Sequence, residues 1–179
     1  SNHIWHWEEG DKKGTEEIFK NSDVVIREKI YIPRIHVASI ETCGCVSEFD
    51  KATGQLTVWM TTQAPHAIRT VLALVAGHVG LQEDKIRVIS PDIGGGFGGK
   101  VPVYPGYVIA IAASVVTGLP VKWIEDRREN LQADSFARDY HMDCEIAADK
   151  DGTLNGLRIK TLADNGYADA AANPSKYPA

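Results

Sequence analysis

PDIGGGFGGKVPVYPG, residues 91–106, puts five glycines into the six positions 94–99 and follows them with Lys100, Pro102 and Pro105. Three readings compete for so permissive a backbone. As G-x-x-x-x-G-K-[ST], Gly94, Gly99 and Lys100 fit a nucleotide-binding loop, but Val101 stands where a magnesium-binding hydroxyl belongs. As G-x-G-x-x-G, Gly94, Gly96 and Gly99 fit a dinucleotide fingerprint. However, Pro91 to Ile93 separates the loop from its strand, and Pro102 and Pro105 delay the helix. The acidic partner expected about 20 residues on would fall near Leu119, and Glu125 comes late. A tight packing turn would need only one or two glycines. Five around a single Phe97 point to backbone N–H groups presented to an anionic or oxo ligand, since successive amides form an anion-binding concavity.

Outward from the loop, the chain alternates strand and helix signals. KIRVIS, 85–90, reads as a short strand before it. Tyr107 to Val116, alanine-rich and apolar on all sides, reads as a buried helix after it. Upstream, Ile68, Val71, Leu72 and Val75 make one apolar face of a helix over Pro65 to Ala76, with proline at its start and Gly77 at its end. Cys45 to Phe49 and Gln55 to Thr61 flank DKATG and form a hairpin. DVVIREKIYI, 23–32, is a strand. Val121 to Ile124 is another, and Asp126 to Leu131 is a short polar helix. Tyr140 to Ala148 and Leu154 to Leu162 pair across Asp151-Gly152, with Cys144 among the core-facing residues. The expected fold is α+β: mixed sheets with hairpins and two main helices. The first 22 residues read as a flexible arm with a short helix over Thr15 to Lys20, Ser1-Asn2 being an expression remnant. Residues 23–179 read as part of one domain cut from a longer protein.

Composition narrows the function. With 19 basic and 24 acidic residues, a net charge of −5 gives no support to a nucleic-acid surface. No apolar run reaches the roughly 18 residues of a membrane span. Cys43, Cys45 and Cys144 are an odd set that suits a reducing compartment, hence a cytoplasmic assignment. The C-x-C pair is too small for a zinc site or an iron–sulfur cluster, and buried packing is the better reading.

GGGFGGK (94–100) resembles the signature of the molybdenum-binding large subunit of the molybdenum hydroxylases, the xanthine dehydrogenase and aldehyde oxidase family. TTQAPH (61–66) resembles that family's glutamine segment, and it precedes the glycine loop by about 30 residues in the same order. WIEDRREN (123–130) and IETCGCV (40–46) add support, the latter resembling the carbon-monoxide-dehydrogenase-like branch. The resemblance covers nearly all the chain beyond about residue 20. It implies part of a molybdopterin-binding domain in an oxidoreductase that oxidises a small molecule with water-derived oxygen.

By that resemblance, Gln63 hydrogen-bonds an apical oxo ligand and counts as the catalytic residue. Gly95, Gly96, Phe97 and Gly98 approach the metal and pterin, with the Phe97 and Gly98 amides as leading donors. A glutamine amide donates without carrying charge. No protein side chain ligates the metal. The implied cofactor is molybdopterin cytosine dinucleotide with molybdenum, copper being an open addition. An FAD-binding medium subunit and an iron–sulfur small subunit are the implied partners. The family's general base lies beyond these motifs, so residues 1–179 alone are expected to be inactive. The substrate stays open among carbon monoxide, an aldehyde and an N-heterocycle. Two rival readings remain: an NAD-dependent dehydrogenase using the GxGxxG loop, and a non-catalytic assembly module. Lys100 reads either as a phosphate contact or as a solvated lysine. Asp126, Arg127, Arg128 and Glu129 read as an ion-pair network, with an arginine there a weaker phosphate candidate.

Overall fold

A computed structural model describes residues 3, 6–77 and 80–164. Val75 and Ala76 are placed only as backbone, and the expectation for Ser1-Asn2 lies outside the described residues. The chain divides into two units. Residues up to Arg34 with Arg138–Asp164 form one, and Ile35–Ala137 form the other. The first 22 residues thus belong with the late hairpin.

In the first unit, α1 (Lys12–Asn21) is followed by β1 (Val24–Ile32), which pairs antiparallel with β6 (Tyr140–Ala148); β6 pairs in turn with β7 (Leu154–Ala163). Half of the expected arm is therefore helix, and it is two turns and more rather than one. Asp11 caps it by accepting from the Gly14 amide, and Arg158 lies over the Phe19 ring at 4.6 Å. The cap satisfies an amide that a helix start leaves open, and the guanidinium over the ring ties α1 to β7. Gly156 lets the helix approach: a Cβ there would meet Ile18 at 3.0 Å. The face under α1 carries Ala147, fully buried, and a ladder in which Glu145 bridges Arg27 and Arg158. On the other face Ile26, Ile30, Ile146, Leu157 and Ile159 are exposed, and Cys144 is only half-buried. The alternation was real, but the buried residue is Ala147 on the opposite face from the one expected to be core.

The second unit holds the hydrophobic core. Its sheet runs β4-β3-β2-β5, from β2 (Gly44–Asp50), β3 (Gln55–Met60), β4 (Ile86–Ile89) and β5 (Val121–Ile124). β2 and β3 form the expected hairpin, β4 lies parallel to β3, and β5 is antiparallel to β2. Pairing puts Cys45, Ser47, Leu56, Val58, Met60 and Ile86 on one face. That face packs with Ile68 and Leu72 of α2 (Pro65–Ala76) and with Tyr107, Ala110 and Ile111 of α3 (Pro105–Thr117). Pro65 and Pro105 occupy first-turn positions, where a missing N–H costs nothing. α3 buries only one side; Ile109 and Val116 are exposed. Gly106 is needed where α3 meets the sheet, because a Cβ would come within 2.2 Å of the Trp123 ring. α4 (Arg127–Ala133) completes the unit. No helix among the described residues is long and apolar enough to cross a membrane.

This topology removes the dinucleotide-fingerprint reading. That fingerprint needs a strand leading through the glycines directly into a helix of a parallel βαβ unit. Here the loop closes in turns at 97–100 before Pro105 begins α3, and the strand after α3, β5, is separated from β4 by β3 and β2 instead of pairing beside it.

Candidate functional site

Gln63 sits in the short connection between β3 and α2, just ahead of the helix. Its side chain does bond backbone, as an ordinary helix-start residue would, but the backbone is that of the glycine loop. Gln63 Oε1 accepts from the amides of Gly98 at 2.9 Å and Lys100 at 3.3 Å. The Gln63 amide donates back to the Lys100 carbonyl at 3.1 Å, and Thr62 Oγ1 donates to that same carbonyl at 3.1 Å. Tyr104 hydroxyl donates to the Gly99 carbonyl at 2.6 Å. Two N–H donors converging on one atom require that atom to be the amide oxygen, so Nε2 is the free end of Gln63.

The loop's own amides divide into two groups. Those of Gly94, Gly98, Gly99 and Lys100 are spent on Glu41, Gln63, Gly96 and Gln63. Those of Gly95, Gly96 and Phe97 have no partner among the described residues. Gly98 is thus a donor to Gln63, and the open donors begin two residues earlier than the Phe97–Gly98 pair that the resemblance implies. Gln63 Nε2 is likewise without a partner among the described residues. These are donors left open on a loop that packs against the Gln63 side chain, and open amides of this kind can receive an anion, an oxo group or a ring carbonyl.

Two glycines owe their identity to close approach. At Gly96 a Cβ would lie 2.4 Å from Gln63 Cδ, and at Gly94 one would lie 2.6 Å from Glu41 Cβ. The turn itself needs left-handed backbone at Gly98, φ +88°, and even Phe97 adopts φ +50°. Phe97 is 73% exposed, so its ring is displayed rather than packed.

Glu41 was not singled out from the sequence. Its Oε2 accepts from the Gly94 amide at 2.6 Å and from Lys100 Nζ at 2.7 Å. Lys100 is 3% exposed, which overturns its reading as a solvated lysine. The Lys100 ammonium beside it, helped by the Gly94 amide, holds the Glu41 carboxyl below its ordinary value against an opposing effect of burial.

The acidic segment 125–130 is not an ion-pair network. Asp126 and Glu129 form a reciprocal capping box at the start of α4. Arg127 donates to the carbonyls of Ser39 and Ile40 and to Asn130 Oδ1. With its oxygen so engaged, Asn130 turns its Nδ2 to Glu125 Oε2 at 3.1 Å and Asp134 Oδ2 at 2.5 Å. Cys43 Sγ reaches Asp134 Oδ2 at 3.7 Å, and the Cys43 amide donates to Glu125 Oε2. Burial, then the neighbouring Glu125 carboxyl, pushes Asp134 up to about 7. Its Oδ1 is buried with no hydrogen-bond partner among the described residues. Cys43, Glu125 and Asp134 bring their ligand atoms within 4.8 Å of one another. Burial also pushes the Cys43 and Cys45 thiols up to about 12 and 11, which keeps both protonated and excludes them as nucleophiles. His66 is exposed and makes no cap.

A cradle of this kind is what a pterin cofactor without protein metal ligands requires, and the family model of the molybdopterin cofactor-binding domain matches residues 1–177. The chain belongs to that family. This molybdopterin cofactor-binding domain is 53% identical, over 99% of its length, to the carbon monoxide dehydrogenase large chain of Hydrogenophaga pseudoflava. It is 56% identical over the same share to that of Afipia carboxidovorans. In each case it spans 22% of the relative's length. A crystal structure of a Cu,Mo-CO dehydrogenase in its carbon monoxide reduced state superposes with a TM-score of 0.81 at 55% identity, covering 90% of this chain and 20% of that one. The mixed α+β fold of the domain is thus that of molybdenum-enzyme large subunits.

Proposed function

We propose that this domain forms part of the molybdenum-cofactor site in the large subunit of a carbon-monoxide-dehydrogenase-type oxidoreductase. The observation that carries the reading is the set of open donors at Gly95, Gly96, Phe97 and Gln63 Nε2. The residues fit the group: three open amides lie on the loop that packs against Gln63, whose NH₂ is also open, and Glu41 Oε2 is taken up by Gly94 and Lys100. The cofactor supplies two-electron oxidation of the substrate when bound. The chain's own part is to orient it. Gln63 presents its NH₂ to an oxo ligand, held by the two amides that fix its oxygen. The Gly95, Gly96 and Phe97 amides donate to the cofactor, and Gly98 stabilises the cradle through Gln63. Fixed neutral donors of this kind favour developing negative charge without reorganising.

The cofactor is molybdopterin cytosine dinucleotide, and electrons leave through an iron–sulfur small subunit and an FAD-binding medium subunit. The similarity to carbon monoxide dehydrogenases makes carbon monoxide the leading substrate and copper a companion of molybdenum. An aldehyde or N-heterocycle would use the same cradle. The test is elemental analysis of the active full-length protein with identification of the nucleotide released by acid. Molybdenum with cytidine monophosphate is expected, and stoichiometric copper marks carbon monoxide as substrate. A folded, active preparation without molybdenum would overturn the reading.

A further inference from the structure

Five glycines in six residues leave the loop with more backbone freedom than any other stretch of the chain, and ordering it carries a matching entropic cost. Presenting three amides in one direction requires that both halves of the loop be held. The second half is held by Gln63, Thr62 and Tyr104, acting on Gly98, Gly99 and Lys100. Among the described residues the first half has one partner outside the loop. The Gly94 amide donates to Glu41 Oε2, and the Gly94 carbonyl accepts from the Glu41 amide at 3.3 Å. The same Glu41 oxygen receives Lys100 Nζ. One carboxylate oxygen therefore joins residue 94 to residue 100, across the three open amides.

Building on the cofactor reading above, we propose that Glu41 is the positioning residue of the cradle. It closes the glycine loop through Gly94 and Lys100 and so sets the direction of the Gly95, Gly96 and Phe97 amides. Two features support the assignment. Lys100 is buried with its charge matched by Glu41, so the lysine acts on the loop and leaves the cradle a neutral donor set. Glu41 is itself held, because Arg127 takes the carbonyls of Ser39 and Ile40, Thr42 Oγ1 donates to the Glu125 carbonyl and Cys43 exchanges hydrogen bonds with Glu125. The 123–130 segment thus acts on the cofactor site by anchoring the residue that closes the loop, with no contact of its own required.

The test uses the full-length protein carrying Glu41→Gln, Glu41→Asp or Lys100→Met. Hydrogen exchange is read on metal-free protein at the Gly98 and Gly99 amides, which are bonded in the loop but do not touch Glu41. Glu41→Gln is expected to speed their exchange about tenfold through a local opening that does not depend on added denaturant, unlike the global opening that exposes β3 and α2. Lys100→Met is expected to do the same, and Glu41→Asp to restore part of the protection. In the loaded protein, Glu41→Gln is expected to lower molybdenum content several-fold and to shift the molybdenum(V) paramagnetic resonance spectrum. Unchanged exchange at Gly98 and Gly99 in both Glu41→Gln and Lys100→Met would overturn the proposal even if molybdenum is present. Acceleration at Gly98 and Gly99 that follows the same denaturant dependence as β3 and α2 would overturn it too, as the mark of general destabilisation. A wild-type protein without molybdenum would overturn the cofactor reading and leave the exchange result standing.

Discussion

Glu41 and Asp134 are carboxylates of the same unit, both tied to the 39–43 segment, in opposite electrical surroundings. Glu41 faces a buried ammonium and an amide, which favour its charged form. Asp134 faces burial and a second carboxyl, which favour its protonated form despite the help of Asn130. The pair shows that hydrogen bonding alone does not set a carboxyl's state; what stands opposite does. Their pH dependences run in opposite senses. Glu41, lowered in the fold, stabilises above its ordinary value of 4.5, and that stabilisation is lost as pH falls through its folded value. Asp134, raised in the fold, contributes fully below 3.8, and its contribution is lost as pH rises through about 7.

The largest test of this contrast is an asymmetry within the Glu41–Lys100 pair. Glu41→Gln strands a buried ammonium and is expected to cost about 3 kcal/mol. Lys100→Met leaves a carboxylate whose side chain is 41% exposed and can turn to water, and is expected to cost about 1 kcal/mol. Urea unfolding at pH 8 measures both; equal losses would break the account of which partner needs the other. The second test is Asp134→Asn. It removes the group that resists ionisation, so stability at pH 8 should rise by on the order of 1–2 kcal/mol, while the variant and parent converge only below about pH 4. A drop at pH 8 would show that the carboxyl is needed charged. The third and smallest effect on stability is Gly96→Ala. The intruding Cβ meets the exposed Gln63 side chain, which can move aside only by giving up its bonds to Gly98 and Lys100, so the cost is about 1 kcal/mol. Molybdenum content of the full-length protein should nevertheless fall sharply, because Gln63 loses its place. A large loss of stability with normal molybdenum content would reverse the roles given to packing and positioning here.

Much of the second unit was legible along the chain. Pro65 and the apolar spacing after it marked α2 to the residue, and Gly54 marked the β2–β3 turn, where it takes φ +68°. These are local signals, read by backbone chemistry within a few residues. In the first unit the α1 helix was underestimated because its support comes from β7, through Arg158 on Phe19. The core face of β6 was misjudged because the alternating pattern is apolar on one side and charge-paired on the other, and the helix covers the latter.

The site divides in the same way. The glycine run could be named from the sequence, because five glycines in six residues restrict what a backbone can be for, whereas Gln63 was named through the family resemblance of TTQAPH, a side-chain amide ahead of a helix reading by itself as a helix-start residue. Glu41 could not, since its partners lie 53 and 59 residues away. Nor could the sequence say which amides remain open, because Gly98 differs from its neighbours only in facing the Gln63 oxygen. The sequence by itself determined that a donor-rich loop exists and which residue types surround it, since those depend on covalent backbone freedom and local hydrogen-bonding capacity. The tertiary structure alone decided which donors are spent, which stay open and which carboxylates are charged, because each depends on a partner that only folding brings within bonding distance.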